Sequence, residues 1–184
     1  MGSPSSSNVA PGTAAPRADA FALLGLPVTY ELDTAALERA YFEKSKELHP
    51  DRFANAPAAE RVAALSRSRA LNDAYQLLKK PVARAEYLLA RAGVTIGDNE
   101  RLDPTFLMEI LELREELAAA RQAGRLDEVG AKQATMAARR KSVLDELPAL
   151  FRQGDLASVK ERLIVLRYLD RYLEECDAIL DSED

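Results

Sequence analysis

The sequence predicts an all-α fold. Apolar residues recur at spacings of three, four and seven along most of the 184 residues, no segment keeps a strand's alternation, and prolines and glycines punctuate the pattern at helix-length intervals. Hydrophobic residues make up 47% and charged residues 30%, the balance of a core-forming globular chain.

The elements follow in order. Residues 1–17 are rich in Ser, Pro, Gly and Ala and read as a disordered tail, without the apolar core of a secretory signal. Asp19–Leu24 is a short apolar segment stopped by Gly25 and Pro27. Asp33 or Thr34 can cap the next helix, which carries Leu37, Ala40, Tyr41 and Leu48 on one face. It ends near Leu48 because Pro50 disfavours helical geometry at His49. After a loop from His49 to about Asn55, Pro57 suits a helix first turn. Val62, Leu65, Leu71, Ala74, Tyr75 and Leu78 line that helix, Pro81 breaks it, and a shorter helix covers 82–90. Residues 93–104 form a linker with two glycines and a proline. Three longer helices are expected beyond it: 105–123, stopped by Gly124; 126–147, ended by Pro148; and one capped by Asp155 that runs to about Leu180. The chain therefore divides into a tail (1–17), a helical unit (18–92), a linker (93–104) and a three-helix bundle (105–184). Each unit is too small for a comfortable core of its own, so the two are expected to pack together.

Charge and composition exclude several function classes. The net charge is −5; residues 1–100 carry 12 basic and 12 acidic side chains, which leaves 13 against 18 for the rest. With no Lys/Arg stripe along a helix face, nucleic acid is not an expected partner. No apolar run reaches the ~18 residues a membrane span needs. One cysteine, Cys176, rules out an intrachain disulfide and reads as a small buried hydrophobe. One histidine, His49, and one distant cysteine do not make a zinc site.

The first functional signal is His49-Pro50-Asp51 between two amphipathic helices. The proline fixes a bend, and Asp51 becomes an exposed carboxylate suited to a charge-assisted hydrogen bond with a partner's arginine. No nucleophile, phosphate loop or metal cluster accompanies the pair, so the chain is not expected to be an enzyme. The stretch Tyr41-Phe42-Glu43-Lys44-Ser45-Lys46-Glu47-Leu48-His49-Pro50-Asp51-Arg52-Phe53 resembles the second helix and loop of a J domain. Leu71-Asn72-Asp73-Ala74-Tyr75-Gln76-Leu77-Leu78 resembles its third helix, and Phe21-Ala22-Leu23-Leu24-Gly25-Leu26 the start of its first. The resemblance implies docking on a DnaK-class ATPase chaperone, with stimulation by His49, Pro50 and Asp51 and a basic surface from Arg39, Lys44, Lys46 and Arg52. The pattern departs at Glu47, where J domains often place a basic residue, and Glu38 and Glu43 further dilute the positive face, which fits a dedicated chaperone partner.

The second signal lies in Thr105–Leu117. At about 100° per residue, Phe106, Ile110, Leu113 and Leu117 share one face, while Leu107, Met108 and Leu111 form a second apolar stripe edged by Glu112 and Glu115. Ile164, Tyr168 and Tyr172 make a comparable surplus on the last helix. Exposed apolar strips rimmed by charge are partner sites. Phe106–Leu117, with Pro81-Val82-Ala83-Arg84-Ala85-Glu86-Tyr87-Leu88-Leu89 and Leu166-Arg167-Tyr168-Leu169-Asp170, is similar to the HscB family of co-chaperones for iron–sulfur cluster assembly. The similarity covers about residues 18–180. It implies that the C-terminal bundle holds an IscU-type cluster scaffold through Leu107, Met108, Leu111, Glu112, Glu115 and Tyr168 and delivers it to an HscA-type chaperone. Tyr168 stands where the family often has Phe, and Ala119 where some members carry an acid. The N-terminal cysteine-rich motif of some members is missing, so no metal and no cofactor are expected. The location implied is a bacterial cytoplasm in preference to an organelle matrix. Two other readings fit the residues: a J protein with a different client, and a helical structural adaptor with an inert loop.

Overall fold

A computed structural model of the chain describes residues 19–97, 100 and 103–182. The expected tail and linker residues 98, 99, 101 and 102 lie outside the described residues. The helices are α1 (Ala20–Leu24), α2 (Thr34–Glu47), α3 (Ala58–Lys79), α4 (Pro81–Arg91), α5 (Pro104–Gln122), α6 (Leu126–Gln153) and α7 (Leu156–Asp181), with a 3₁₀ turn at Pro50–Phe53 between α2 and α3. No strand occurs among the described residues.

Local chemistry starts and stops these helices. Asp19, Asp33, Asp103 and Asp155 each accept a hydrogen bond from a first-turn backbone N–H. Pro81 and Pro104 take the first helical position, where a missing N–H costs nothing. At five residues α1 is too short to persist alone. Tertiary burial of Phe21 and Leu24 against Leu37, Leu71, Ala74 and Leu78 holds it.

The second, larger core joins both halves of the chain. Ala85 and Leu89 of α4, and Tyr30 before α2, are buried with Leu117, Val129, Leu147, Val159, Leu163, Leu166, Leu169, Tyr172 and Cys176. Leu88 touches both cores. Burying each of these leucine and valine side chains contributes roughly 1.5–3 kcal/mol. On its other side α4 is tied to α1: the Tyr87 hydroxyl accepts from the Ala20 N–H at 3.0 Å and donates to Asp19, and Arg91 donates to Asp19 at 2.5 Å. Tyr30 stacks on Phe151 of α6 with ring centres 4.6 Å apart, and the Arg84 guanidinium lies 5.0 Å from the Tyr30 ring centre. The described linker residues are also held: Val94 and Ile96 pack on the larger core, and Lys160 reaches Glu100 at 2.7 Å.

Three expectations need correction. First, α6 does not end at Leu147 but runs through Pro148 to Gln153 and closes on Gly154 at φ 71°. A proline inside a helix costs about 3 kcal/mol. The extra turn offsets this by packing Leu150 and Phe151 against the larger core. Second, Val62 and Leu65 do not line the buried side of α3; each is 64% exposed. At about 100° per residue Val62 lies half a turn from Leu71, so the two cannot share a face. Third, Ile164 and Tyr172 are not a surface surplus but are buried. Helix α7 packs against α4, α5 and α6, which leaves it little free circumference.

Candidate functional site: an exposed turn and an apolar strip

The turn between α2 and α3 is built by its own backbone. Helix α2 stops at Leu48, whose N–H still reaches the Lys44 carbonyl at 3.2 Å. His49 adopts the extended geometry that a following proline demands, φ −59° and ψ 132°. The chain then tightens: the Arg52 N–H donates to the His49 carbonyl at 3.0 Å and the Ala54 N–H to the Asp51 carbonyl at 3.3 Å. The Asp51 N–H donates to His49 Nδ1 at 3.3 Å, and an Asp51 carboxylate oxygen lies 3.5 Å from the same nitrogen. Because that lone pair already accepts from the amide, Nδ1 is not also free to donate to the carboxylate, and the imidazole braces the turn. The Asp51 side chain is 91% exposed, so its oxygens stand ready for an outside donor.

The basic residues named from the sequence run along α2 to this turn. Arg39 pairs with Asp33 at 3.8 Å and Lys44 with Glu47 at 3.8 Å, both at long range and in solvent. Such pairs hold their partners weakly and leave the cations open to exchange. Lys46 lies over the Phe42 ring, 4.1 Å from its centre, and Arg52 is exposed on the turn itself. The α2–α3 pair is braced behind the turn by Tyr41, which stacks on Tyr75 at 4.3 Å and donates to Asn72 at 2.5 Å. These contacts are not visible in helical periodicity alone.

The second surface lies on α5. Ile110, Leu117 and Ala120 face the core, and Phe106 and Leu113 are half-buried. On the other side Leu107, Met108 and Leu111 are 41%, 58% and 47% exposed, flanked by exposed Glu112 and Glu115. Tyr168 is less exposed than these three. It is half-buried beneath the helix start, edge-on to Phe106 with ring centres 6.1 Å apart. Glu109 accepts two hydrogen bonds from Arg139, at 2.5 and 2.9 Å, and Arg139 also lies 5.4 Å from the Phe106 ring centre. Those hydrogen bonds hold the Glu109 carboxyl below its ordinary value, against the opposing effect of burial. Burial of Ile110, Leu117 and Ala120 sets the rotation of α5, the Arg139 pair adds to it, and Leu107, Met108 and Leu111 are left outward.

Sequence reasoning missed Phe42, which is exposed beside the basic residues of α2; the signal was its i, i+4 spacing to Lys46. Among the described residues no group of three or more His, Cys, Asp or Glu side chains could hold a metal ion, and no helix is long and apolar enough to cross a membrane.

Comparison with known proteins covers both surfaces. Residues 19–87 match the DnaJ domain, and residues 102–177 match the HSCB C-terminal oligomerisation domain. The chain is 35% identical over 167 residues to the co-chaperone protein HscB homolog of Azoarcus sp. (strain BH72), covering 89% of this chain and 94% of that one. The HscB homolog of Aromatoleum aromaticum matches to the same extent. Among solved structures, the chaperone HscB from Vibrio cholerae superposes with a TM-score of 0.77 at 32% identity, covering 90% of this chain and 99% of that one. The human co-chaperone protein HscB gives 0.78 at 30% identity, covering 90% and 83%.

Proposed function

The chain belongs to the HscB family of J-domain co-chaperones, which serve iron–sulfur cluster assembly, and from that premise we propose that it is a two-handed adaptor between a cluster scaffold and an ATPase chaperone. One hand is the α5 strip. Leu107, Met108 and Leu111 bind an IscU-type scaffold by burying apolar surface, at ~25 cal/mol per Å² before the cost of association. Glu112 and Glu115 orient the scaffold by charge, and Tyr168 supports the strip from below through Phe106. The other hand is the His49-Pro50-Asp51 turn, which docks on an HscA-type, DnaK-class chaperone together with Arg39, Lys44, Lys46 and Arg52.

The observation that carries this reading is the Asp51 carboxylate, almost fully exposed on a turn whose backbone is locked by three internal hydrogen bonds. A charge-assisted hydrogen bond from a chaperone arginine to such a group contributes about 1.5–3 kcal/mol. If the bond forms only in the hydrolysis-competent state, its whole energy biases the chaperone toward hydrolysis. Hydrolysis then closes the chaperone on the scaffold and promotes cluster release to acceptors. The chain itself performs no chemistry and ligates no cluster. It works in a bacterial cytoplasm.

The test is steady-state ATP hydrolysis by the HscA-type chaperone with wild-type protein or its Asp51→Asn variant. The expected result is strong stimulation by the wild type and none by the variant. A folded wild-type protein that leaves the rate unchanged would remove the co-chaperone role of the turn.

A further inference from the structure

Sulfur is unevenly placed in this chain. Among the described residues three side chains carry it, and two of them are closed to solvent. Met136 of α6 is 5% exposed, and Cys176 of α7 is fully buried, its thiol pushed up by that burial. Met108 is the opposite: it stands 58% exposed on α5, more open than Leu107 and Leu111 beside it. Met1 lies outside the described residues.

Leu107 precedes Met108 and Leu111 follows it by one turn, so the thioether is the most exposed apolar group of the strip. Glu112 and Glu115 place carboxylates on the same side of the helix. The cations that reach α5 from α6 are already engaged, Arg139 by Glu109 and Lys132 by Glu116. A thioether suits such a strip because it is apolar, polarizable and adaptable. A sulfoxide does not. Its oxygen is a hydrogen-bond acceptor, and burying it without a donor carries the cost of an unmet polar group. The seating of α5 does not depend on Met108, since Ile110, Leu117 and Ala120 are the residues it buries.

We propose that Met108 is a reversible oxidation site that switches scaffold binding: hydrogen peroxide converts its thioether to the sulfoxide, and the α5 strip releases the scaffold. The inference rests on the reading of the strip given above. A sulfur lone pair attacks one peroxide oxygen, the O–O bond breaks and an S–O bond forms. Sulfur gives up two electrons, and the departing hydroxide takes the proton left on the transferred oxygen to become water. Methionine sulfoxide reductases reverse the step with two electrons from a dithiol, releasing the oxygen as water. Exposure makes the modification selective, because Met136 and Cys176 are shielded by the same packing that leaves Met108 open.

The experiment treats the full-length protein with hydrogen peroxide, removes the excess with catalase, and only then titrates in the IscU-type scaffold by calorimetry. Peptide mass spectrometry locates the added oxygen, and circular dichroism follows the helices and the melting temperature. Wild type, Met108→Leu and Met108→Ser/Leu111→Ser are compared, each treated and untreated. The expected result is oxygen on Met108 before Met136 or Cys176, with the melting temperature retained and scaffold affinity weakened about tenfold or more. Reductases for both sulfoxide epimers should restore the affinity. For Met108→Leu the treated and untreated affinities should be equal, whatever their common value. Complete oxidation of Met108 without loss of affinity overturns the switch. So does an equal loss in Met108→Leu, because the sensitive group then lies elsewhere. Oxidation of Met136 as fast as Met108, or a fall in melting temperature alongside the affinity, also overturns it, because the peroxide is then damaging the fold. If untreated Met108→Ser/Leu111→Ser binds the scaffold as tightly as wild type, the reading of the strip itself is removed and this inference with it.

Discussion

Arg167 of α7 donates two hydrogen bonds to one carboxylate oxygen of Glu86 in α4, from Nε at 3.1 Å and from Nη2 at 2.8 Å. The pair sits beside Leu89, an α4 side chain fully buried in the core formed with α6 and α7. Helix α4 thus belongs to both units, and the HPD-type turn and the α5 strip are carried on one continuous packed body.

That continuity has a stability consequence. Leu89→Ala is expected to cost about 2–5 kcal/mol through lost burial and the cavity left behind. Because the two cores share α4, urea unfolding followed by tyrosine fluorescence and by helical circular dichroism should give one coincident transition, displaced as a whole in the variant. A variant that splits the curve, with one transition left at the wild-type midpoint, would show that the units fold independently.

The Glu109–Arg139 clamp gives a pH-dependent term. Hydrogen bonds from Arg139 lower the folded-state value of Glu109 below 4.5, so the folded state gains most when the carboxyl is ionised. Its contribution is full above the unfolded value and disappears as pH falls through the lower folded one. Relative to wild type, Glu109→Gln should be less stable at pH 7, by no more than about 1 kcal/mol for so exposed a pair, and melt at a lower temperature. The gap should close in acid. A gap that stays constant in acid would mean that the clamp is not electrostatic.

Cys176 supplies a probe of local opening. Burial, with Asp177 and Glu175 nearby, pushes its thiol up to about 11. At neutral pH the group is inaccessible and almost wholly protonated, so an aromatic disulfide reagent should label it only as fast as α7 opens. Adding denaturant should bring prompt stoichiometric labelling. Prompt labelling of the native protein would contradict the packing of α7.

The helices were legible in the sequence because capping aspartates and stopping glycines are local signals, and they fall where expected at Asp33, Asp155 and Gly124. The open strip Leu107–Met108–Leu111 was legible for a related reason: its residues fall off the core face by helical geometry alone. What failed were positions decided by distant partners. Pro148 ends a helix on local grounds, but Phe151 beyond it stacks on Tyr30 and keeps the helix going. Ile164 and Tyr172 read as surplus because a three-helix bundle needs only one face of α7, whereas α4 from the first unit covers more of it. Val62 and Leu65 were apolar enough to suggest core, but their phase against Leu71 places them outside. Phe42 lies exposed beside the turn with Lys46 over its ring, a contact that the i, i+4 spacing allowed.

We propose that one chain couples scaffold binding at α5 to chaperone stimulation at Asp51. The most direct measurement is the HscA-type ATPase rate with and without the IscU-type scaffold, using wild type, Met108→Ser/Leu111→Ser and Asp51→Asn. Scaffold and wild-type protein together should stimulate more than either alone. The strip variant should lose that joint increment while keeping its scaffold-free stimulation, and Asp51→Asn should lose both. If the strip variant retained the full joint increment with the scaffold, the coupling would not run through α5 and the two-handed account would be wrong.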